Sequence, residues 1–220
     1  MFVKDRMNPK PICGVSNMPV IEAQTIMDSN KIRHLPIIDS NNNLIGLITR
    51  SSLQAALPSD VSRFSQFEIN YTLSKILVDS VMVKNVVTIG PDIPIEEAAW
   101  LMADKRIGTL PVVENGELVG IISGEDLFNA MTTLLGSQNP GIRVTVEQPD
   151  QTGVIARLTT AIAQEGGYLS GCVGYYPKDK TDTWISVCKV ENIEEKRLIE
   201  VLGKLKDTTI LDIRQFQEQE

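Results

Sequence analysis

Apolar and polar positions over the first 132 residues follow one pattern twice. In the second pass Ile95, Ala98, Ala99 and Met102 recur at helical spacing after Pro94, and a proline suits a first helical turn because its missing N–H would have no partner there. Two apolar runs, 110–113 and 118–122, then flank Asn115-Gly116. That pair tolerates the positive φ angles of a tight hairpin turn. A helix-like segment closes the unit. In the first pass Pro19 opens the helix and Asp39-Ser-Asn-Asn-Asn43 stands in the turn. The predicted unit is strand, helix, hairpin of two strands, helix.

The two passes superpose by number. Met7 maps to Met82, Val20 to Ile95, Ala23 to Ala98, Met27 to Met102, Ile32 to Ile107 and Pro36 to Pro111, each 75 residues apart. Beyond Pro36 the offset becomes 74, so that Gly46 maps to Gly120 and Leu53 to Leu127. A one-residue length change therefore falls in the hairpin loop. A unit of this size buries too little surface to be secure alone. The copies are expected to cover each other's open faces about a quasi-twofold axis, as repeats do.

Past residue 140 the pattern changes. Ile142-Arg-Val-Thr-Val146 alternates strictly, and Val154, Leu158, Ala161 and Ile162 make a helical stripe. Residues 168–176 and 183–190 are strand-like; Leu198, Val201, Leu202 and Leu205 make a second stripe, and 209–213 closes. The order β-α-β-β-α-β is the ferredoxin-like plan. Between the halves, Gly136-Ser-Gln-Asn-Pro-Gly141 is a cluster of breakers. The expected organisation is a first copy at 1–57, a connector at 58–75, a second copy at 76–132, a linker at 133–140 and a C-terminal domain at 141–217. The fold class is α/β (α+β).

Composition narrows the function. The 220 residues carry a formal net charge of -7, and no Lys/Arg block appears, which argues against a nucleic-acid binder. No 18-residue apolar run and no basic-apolar leader is present, so neither a membrane span nor a targeting segment is expected. Cys13, Cys172 and Cys188 lack metal or disulfide-framework spacing and read as buried free thiols of a reducing compartment, which makes the chain cytoplasmic. His34 is the single histidine. A histidine-rich metal site is thereby excluded, and no metal or catalytic cofactor is expected.

The repeated text resembles a tandem cystathionine-β-synthase (CBS) module. Arg106-Ile-Gly-Thr-Leu-Pro-Val-Val113 and Gly120-Ile-Ile-Ser-Gly-Glu-Asp-Leu127 are echoed by Arg33-His-Leu-Pro-Ile-Ile38 and Gly46-Leu-Ile-Thr-Arg-Ser-Ser-Leu53. The resemblance implies an adenosyl ligand (AMP, ADP, ATP or S-adenosylmethionine) in the cleft, with adenine against Ile89, Ile107, Gly108, Thr109 and Pro111. Ser123 and Asp126 stand where a strand hands over to a helix. A carboxylate there can accept from both ribose hydroxyls, while a hydroxyl and free backbone N–H groups meet a phosphate. The alternative role for the pair is helix capping, and the two roles can coexist. The first copy has Ser52 in place of the carboxylate but carries Lys31, Arg33, His34 and Arg50. Lys31, Arg33 and His34 stand where the family often places phosphate contacts; otherwise Arg33 and His34 form a solvated surface pair. The second copy is thus expected to hold the nucleoside and the first to meet its phosphates.

The C-terminal segment Val146-Glu-Gln-Pro-Asp150-Gln-Thr-Gly153-Val-Ile155 resembles the strand-to-helix loop of ACT domains, regulatory modules of amino-acid metabolism. That resemblance implies an effector site at Asp150, Thr152, Gly153, Val154 and Ile155, with Asp150 or Thr152 capping the helix. Tyr168 stands where the family often has an Asn that grips an amino acid, so a dimerisation module is the other reading. Trp184 is assigned to core or interface.

The order CBS, CBS, ACT resembles bacterial regulatory proteins of the acetoin-utilisation B type. It implies a non-catalytic, homodimeric sensor in acetoin or related carbon metabolism, coupling the CBS cleft to ACT-mediated assembly. An assembly scaffold with unoccupied clefts and a weak nucleotide hydrolase are the alternatives.

Overall fold

A computed structural model describes residues 1–55 and 75–216. The connector expected at 58–75 lies outside these residues except for Lys75. The chain divides into two compact units, Met1–Leu127 and Phe128–Glu220. Among the described residues no helix is long and apolar enough to cross a membrane.

In the first unit β1 (His34–Ile38) pairs antiparallel with β2 (Leu44–Thr49), and β3 (Thr109–Glu114) with β4 (Glu117–Ser123). Asn115 and Gly116 take φ of 52° and 95°, the left-handed pair that the tight turn demands. The other hairpin turns by a different device. The Asp39 carboxylate accepts from the N–H groups of Asn41 and Asn43 and from the Asn43 side chain, which folds the loop around one acceptor. Both ladders shift register at the equivalent point, between Ile37 and Ile38 and between Val112 and Val113. The one-residue length change is therefore confined to the loop.

Helix α1 (Val20–Ser29) buries Val20, Ala23 and Met27, and α3 (Ile95–Lys105) buries Ile95, Ala98 and Met102. Pro19 and Pro94 sit one residue outside these helices, with ψ of 145° and 143°, rather than in the first turn. The extended ψ sets the entry angle, while each proline carbonyl still accepts a helical bond, from Ala23 or Ala98. Helices α2 (Arg50–Ala55) and α4 (Gly124–Leu134) follow the hairpins. The leading strand expected in each copy shrinks to a single parallel bridge, Gly14 to Ile37 and Ile89 to Val112.

The two cores are filled reciprocally. Val3 lies in the second copy's core with Ile89, Ala98, Met102, Leu110, Val112 and Ile122. Val78 and Met82 lie in the first copy's core with Met18, Ala23, Met27, Leu35, Ile37 and Ile48. Backbone bonds fix the exchange: Asn8 and Ile121 each donate to the other at 2.8 and 3.0 Å, as do Val83 and Leu47 at 2.9 and 3.0 Å. Each leading segment thus adds an edge to the other copy's hairpin. The repeated glycine is what admits it. A Cβ on Gly120 would sit 2.5 Å from Met7 Sδ and 3.0 Å from the Asn8 carbonyl, and one on Gly46 would collide with Met82 Sδ. A glycine inside a strand marks such a close approach.

The second unit contains β5 (Gly141–Pro149), α5 (Val154–Gln164), β6 (Tyr168–Tyr175), β7 (Thr183–Glu191), α6 (Glu195–Gly203) and β8 (Thr209–Phe216). The sheet order is β6-β7-β5-β8 with all neighbours antiparallel, which is the βαββαβ plan read from the sequence. Ile142, Val144 and Val146 point alternately from β5 into a core with Leu158, Ile162, Leu198 and Leu202. The cysteines differ from expectation: Cys188 is buried, Cys13 is half-buried and Cys172 is exposed. Cys172 lies on β6, which among the described strands is an edge with one neighbour.

Gly120→Ala should destabilise the chain by about 1–3 kcal/mol through overpacking at Met7, read as a lower urea midpoint. Adding Met7→Ala should recover part of the loss. No recovery would show that the segment does not press on Gly120.

Candidate functional site

The strand-to-helix junctions of the two copies close in the same way but not with the same groups. In the first, Ser52 Oγ accepts from the Thr49 N–H and donates to the Thr49 carbonyl, while the Ser52 N–H donates to Thr49 Oγ1. The hydroxyl's only proton is committed. In the second, Asp126 Oδ2 accepts from the Ser123 N–H at 2.7 Å and from the Ser123 hydroxyl at 2.6 Å. The pair does cap α4, as one sequence reading allowed. Oδ1 of Asp126, however, accepts no hydrogen bond from any described residue, and the side chain is only half-buried. Capping consumes one oxygen of the carboxylate and leaves the other.

The junctions meet at the quasi-twofold axis. His34 pairs with Thr49 across the first hairpin and Thr109 with Ser123 across the second. His34 and Thr109 are equivalent positions, and His34 Nδ1 and Thr109 Oγ1 share a hydrogen bond of 2.9 Å. Burial, and secondarily the charge of Arg33, holds His34 below its ordinary pKa. The ring is therefore neutral near pH 7, with Nδ1 taken and Nε2 left for another partner.

The predicted nucleoside residues fall into two adjoining groups. Gly108 accepts from the Gly124 N–H at 3.0 Å, which ties Ile107, Gly108 and Thr109 to the Ser123–Asp126 junction. Ile89 donates to the Pro111 carbonyl at 3.1 Å and accepts from Val113 at 2.9 Å, so Ile89 and Pro111 lie side by side on the same sheet. Ile89 belongs mostly to the core, at 8% exposure. It also lines a groove of about 490 Å³ with Thr88, Gly90, Ile93, Glu96, Glu97, Trp100 and Leu101. Sequence reasoning missed this groove; an exposed Trp100 beside two glutamates on the outer face of α3 was its only signal. Of the first copy's cations, Arg33 is exposed and makes no ion pair with a described residue, whereas Arg50 lies 3.9 Å from Asp28. Lys31 and its equivalent Arg106 both adopt left-handed φ, 54° and 55°, a conformation that costs a side-chain-bearing residue roughly 1–2 kcal/mol.

The second unit has a cleft of about 400 Å³ lined by Asp150, Gln151, Gly153, Val154, Ile155, Ala156, Tyr176 and Trp184. Four of the five predicted effector residues are there; Thr152 is not in the lining. The expected side-chain cap is absent. Gly153 itself occupies the N-cap at φ 85° with no side-chain hydrogen bond, and only a glycine is at ease in that conformation. Trp184, expected in core or interface, forms the cleft wall. Tyr176 meets its ring edge-on at 4.9 Å, Gly174 lies against it so closely that a Cβ would collide, and its Nε1 is buried without a partner among the described residues.

Comparison with known proteins identifies the repeated half. The sequence model of the CBS domain matches residues 3–59 and 78–133. L-aspartate semialdehyde sulfurtransferase of Methanocaldococcus jannaschii is 32% identical over 57% of this chain, but the match spans only 22% of that enzyme. A CBS domain-containing protein of Dictyostelium discoideum is 34% identical over 50% of this chain and 76% of its own. Among solved structures, a Vibrio cholerae protein provisionally designated acetoin utilization protein AcuB has a TM-score of 0.53 at 30% identity, covering 63% of this chain and 95% of that one. The CBS domain pair of protein MJ0100, solved with 5-methylthioadenosine and S-adenosyl-L-methionine, has a TM-score of 0.50 at 30% identity, covering 60% and 95%. CBSX2 with AMP has a TM-score of 0.50 at 25% identity, covering 59% and 95%.

The half-buried His34–Thr109 contact carries a pH dependence. Because His34 is held below 6.5, the unfolded chain takes up a proton on acidification before the folded chain does. Stability should fall as pH drops from 6.5 through the depressed pKa, and His34 should have no such effect well above 6.5. Urea midpoints at about pH 7.5 and about pH 5.5 should converge in His34→Gln relative to the parent chain. An unchanged difference would place the acid sensitivity elsewhere.

Proposed function

Because this chain belongs to the CBS domain family, we propose that it is a non-catalytic regulatory sensor whose second copy holds an adenosyl ligand. The observation that carries this reading is the asymmetry of the two junctions. Asp126 keeps one carboxylate oxygen that no described residue occupies beside the quasi-twofold axis, while Ser52 donates its proton to the Thr49 carbonyl. Charged hydrogen bonds contribute about 1.5–3 kcal/mol each, so a ribose gains far more from the second junction. Adenine would rest along Ile107, Gly108, Pro111 and Ile89. The phosphates, or the charged tail of another adenosyl compound, would run toward His34 Nε2 and the exposed Arg33 of the first copy. The adenosyl complexes of the CBS domain pair of protein MJ0100 and of CBSX2 support this class of ligand.

The C-terminal unit gives the sensor its second half in this reading. Its βαββαβ fold and its cleft at Asp150, Gly153, Val154 and Ile155 fit an ACT-type module, which would take a small effector such as an amino acid or join two chains into a homodimer. The likeness to the Vibrio cholerae protein points the pathway toward acetoin or related carbon metabolism. A ligand changes such an assembly only through different affinities for its two arrangements.

A scaffold with unoccupied clefts has one observation in its favour. Both junctions already serve as closed helix caps, so neither needs a ligand to be satisfied. Calorimetry separates the readings. AMP, ATP or S-adenosylmethionine should bind the parent chain, and Asp126→Asn, which keeps a good N-cap, should weaken binding at least about 10-fold. Ser52→Ala should leave affinity unchanged. Heat from no adenosyl compound would favour the scaffold, and the same titration with amino acids tests the C-terminal cleft.

A further inference from the structure

Two cysteines outside the proposed ligand sites stand as partners across the C-terminal sheet. Cys172 on β6 is in register with Cys188 on β7, and their Sγ atoms are 3.4 Å apart. Register partners on antiparallel strands have Cα atoms about 4.5–5.5 Å apart, inside the range of about 4.4–6.8 Å that a disulfide spans. Rotation of the two side chains can then close the bond without moving the strands. The thiols are unequal in a useful way. Cys172 is exposed on the edge strand, whereas Cys188 is fully buried among Val144, Val190 and Leu158. The Cys188 thiol donates to the Cys172 sulfur, so the proton resides on the buried atom.

We infer that Cys172 and Cys188 form a reversible dithiol–disulfide pair oxidised by hydroperoxides, with Cys172 as the attacking sulfur and Cys188 as the resolving one. The hydrogen bond from Cys188 draws the Cys172 pKa down to about 7 and pushes that of Cys188 up. A thiolate is the reactive form, and the exposed sulfur is the one that holds it. The Cys172 thiolate attacks one peroxide oxygen; the S–O bond forms, the O–O bond breaks, and the departing hydroxide or alkoxide takes the proton of Cys188. The Cys188 thiolate then attacks the Cys172 sulfenic acid. The S–S bond forms, the S–O bond breaks, and hydroxide leaves, taking up the proton that Cys172 had released to solvent. Two thiols and one hydroperoxide yield a disulfide, one water and one water or alcohol, each sulfur losing one electron and the peroxide bond gaining two.

The bond would act on an edge strand. Among the described strands β6 pairs with β7 alone, and it shifts register between Leu169 and Gly171, with Gly171 and Gly174 near Cys172. Gly174 lies against Trp184, the wall of the C-terminal cleft. Stapling β6 to β7 therefore fixes that wall, and thiol reductants release it.

Titrating the full chain with hydrogen peroxide under native conditions tests the pair. The parent chain should lose two hydrogens in intact mass and keep only Cys13 open to alkylation. Peptide mapping should show Cys172 joined to Cys188, and dithiothreitol should restore the starting mass. Cys188→Ser, which keeps a hydrogen-bond donor beside Cys172, should stop at a sulfenic acid on Cys172 that a cyclic 1,3-dione traps; Cys172→Ser, a change on the exposed edge, should form neither product. Three alkylatable thiols after oxidation, a persistent sulfenic acid in the parent chain, or chains linked to one another through Cys172 would each overturn the assignment.

Discussion

Each copy of the repeat is completed by a segment that precedes the other, and the first unit depends on this reciprocal insertion. Val3 and Val78 are fully buried, each in the core of the opposite copy, and a fully buried valine contributes about 1.5–3 kcal/mol. The insertion also supplies hydrogen bonds. Asn8 pairs with Ile121 and Val83 with Leu47, covering hairpin edges that would otherwise be open. Neither copy can therefore be removed without uncovering the core of the other. Gly46 and Gly120 are conserved within the repeat because a methionine from the opposite segment occupies the space of their missing side chains.

That constraint places the functional chemistry. Interlocking brings the beginnings of β1 and β3 together, so that the side chains of equivalent residues, His34 and Thr109, meet each other. An exact repeat would put identical groups on both sides of the axis. Here the two sides have diverged: a histidine with a neighbouring arginine faces a threonine, and a serine junction faces a serine–aspartate junction. One side keeps a carboxylate oxygen that no described residue occupies, and the other carries the exposed Arg33. In the proposed reading this asymmetry makes one composite site and leaves no second.

Much of this architecture was legible because it is written in spacing. The repeat offset of 75 residues, falling to 74 past the hairpin loop, Asn115-Gly116, and the apolar stripes at Leu158 and Ile162 and at Leu198 and Leu202 each encode a local geometry, and each appears as read. What was not legible depends on pairing between distant segments. The sequence pattern singled out neither Val3 nor Val78, and it carries no sign of which core each enters, because both cores accept the same shape. The contact of His34 with Thr109 and the register of Cys172 with Cys188 are likewise properties of strand pairing. At Asp150 and Thr152 residue type suggested a cap, yet left-handed Gly153 takes the N-cap and leaves the helix start open to the cleft. Ser123 and Asp126 were legible as a pair; that capping uses only one carboxylate oxygen required the geometry.

The central claim is that the duplicated half offers one adenosyl site per chain, built by the second copy and completed by the first. Equilibrium dialysis of the full chain against radiolabelled AMP, ATP or S-adenosylmethionine measures this directly as binding stoichiometry. The account predicts saturation at one ligand per chain for the compound that binds. Two equivalent ligands per chain, or none with any of the three, would contradict it.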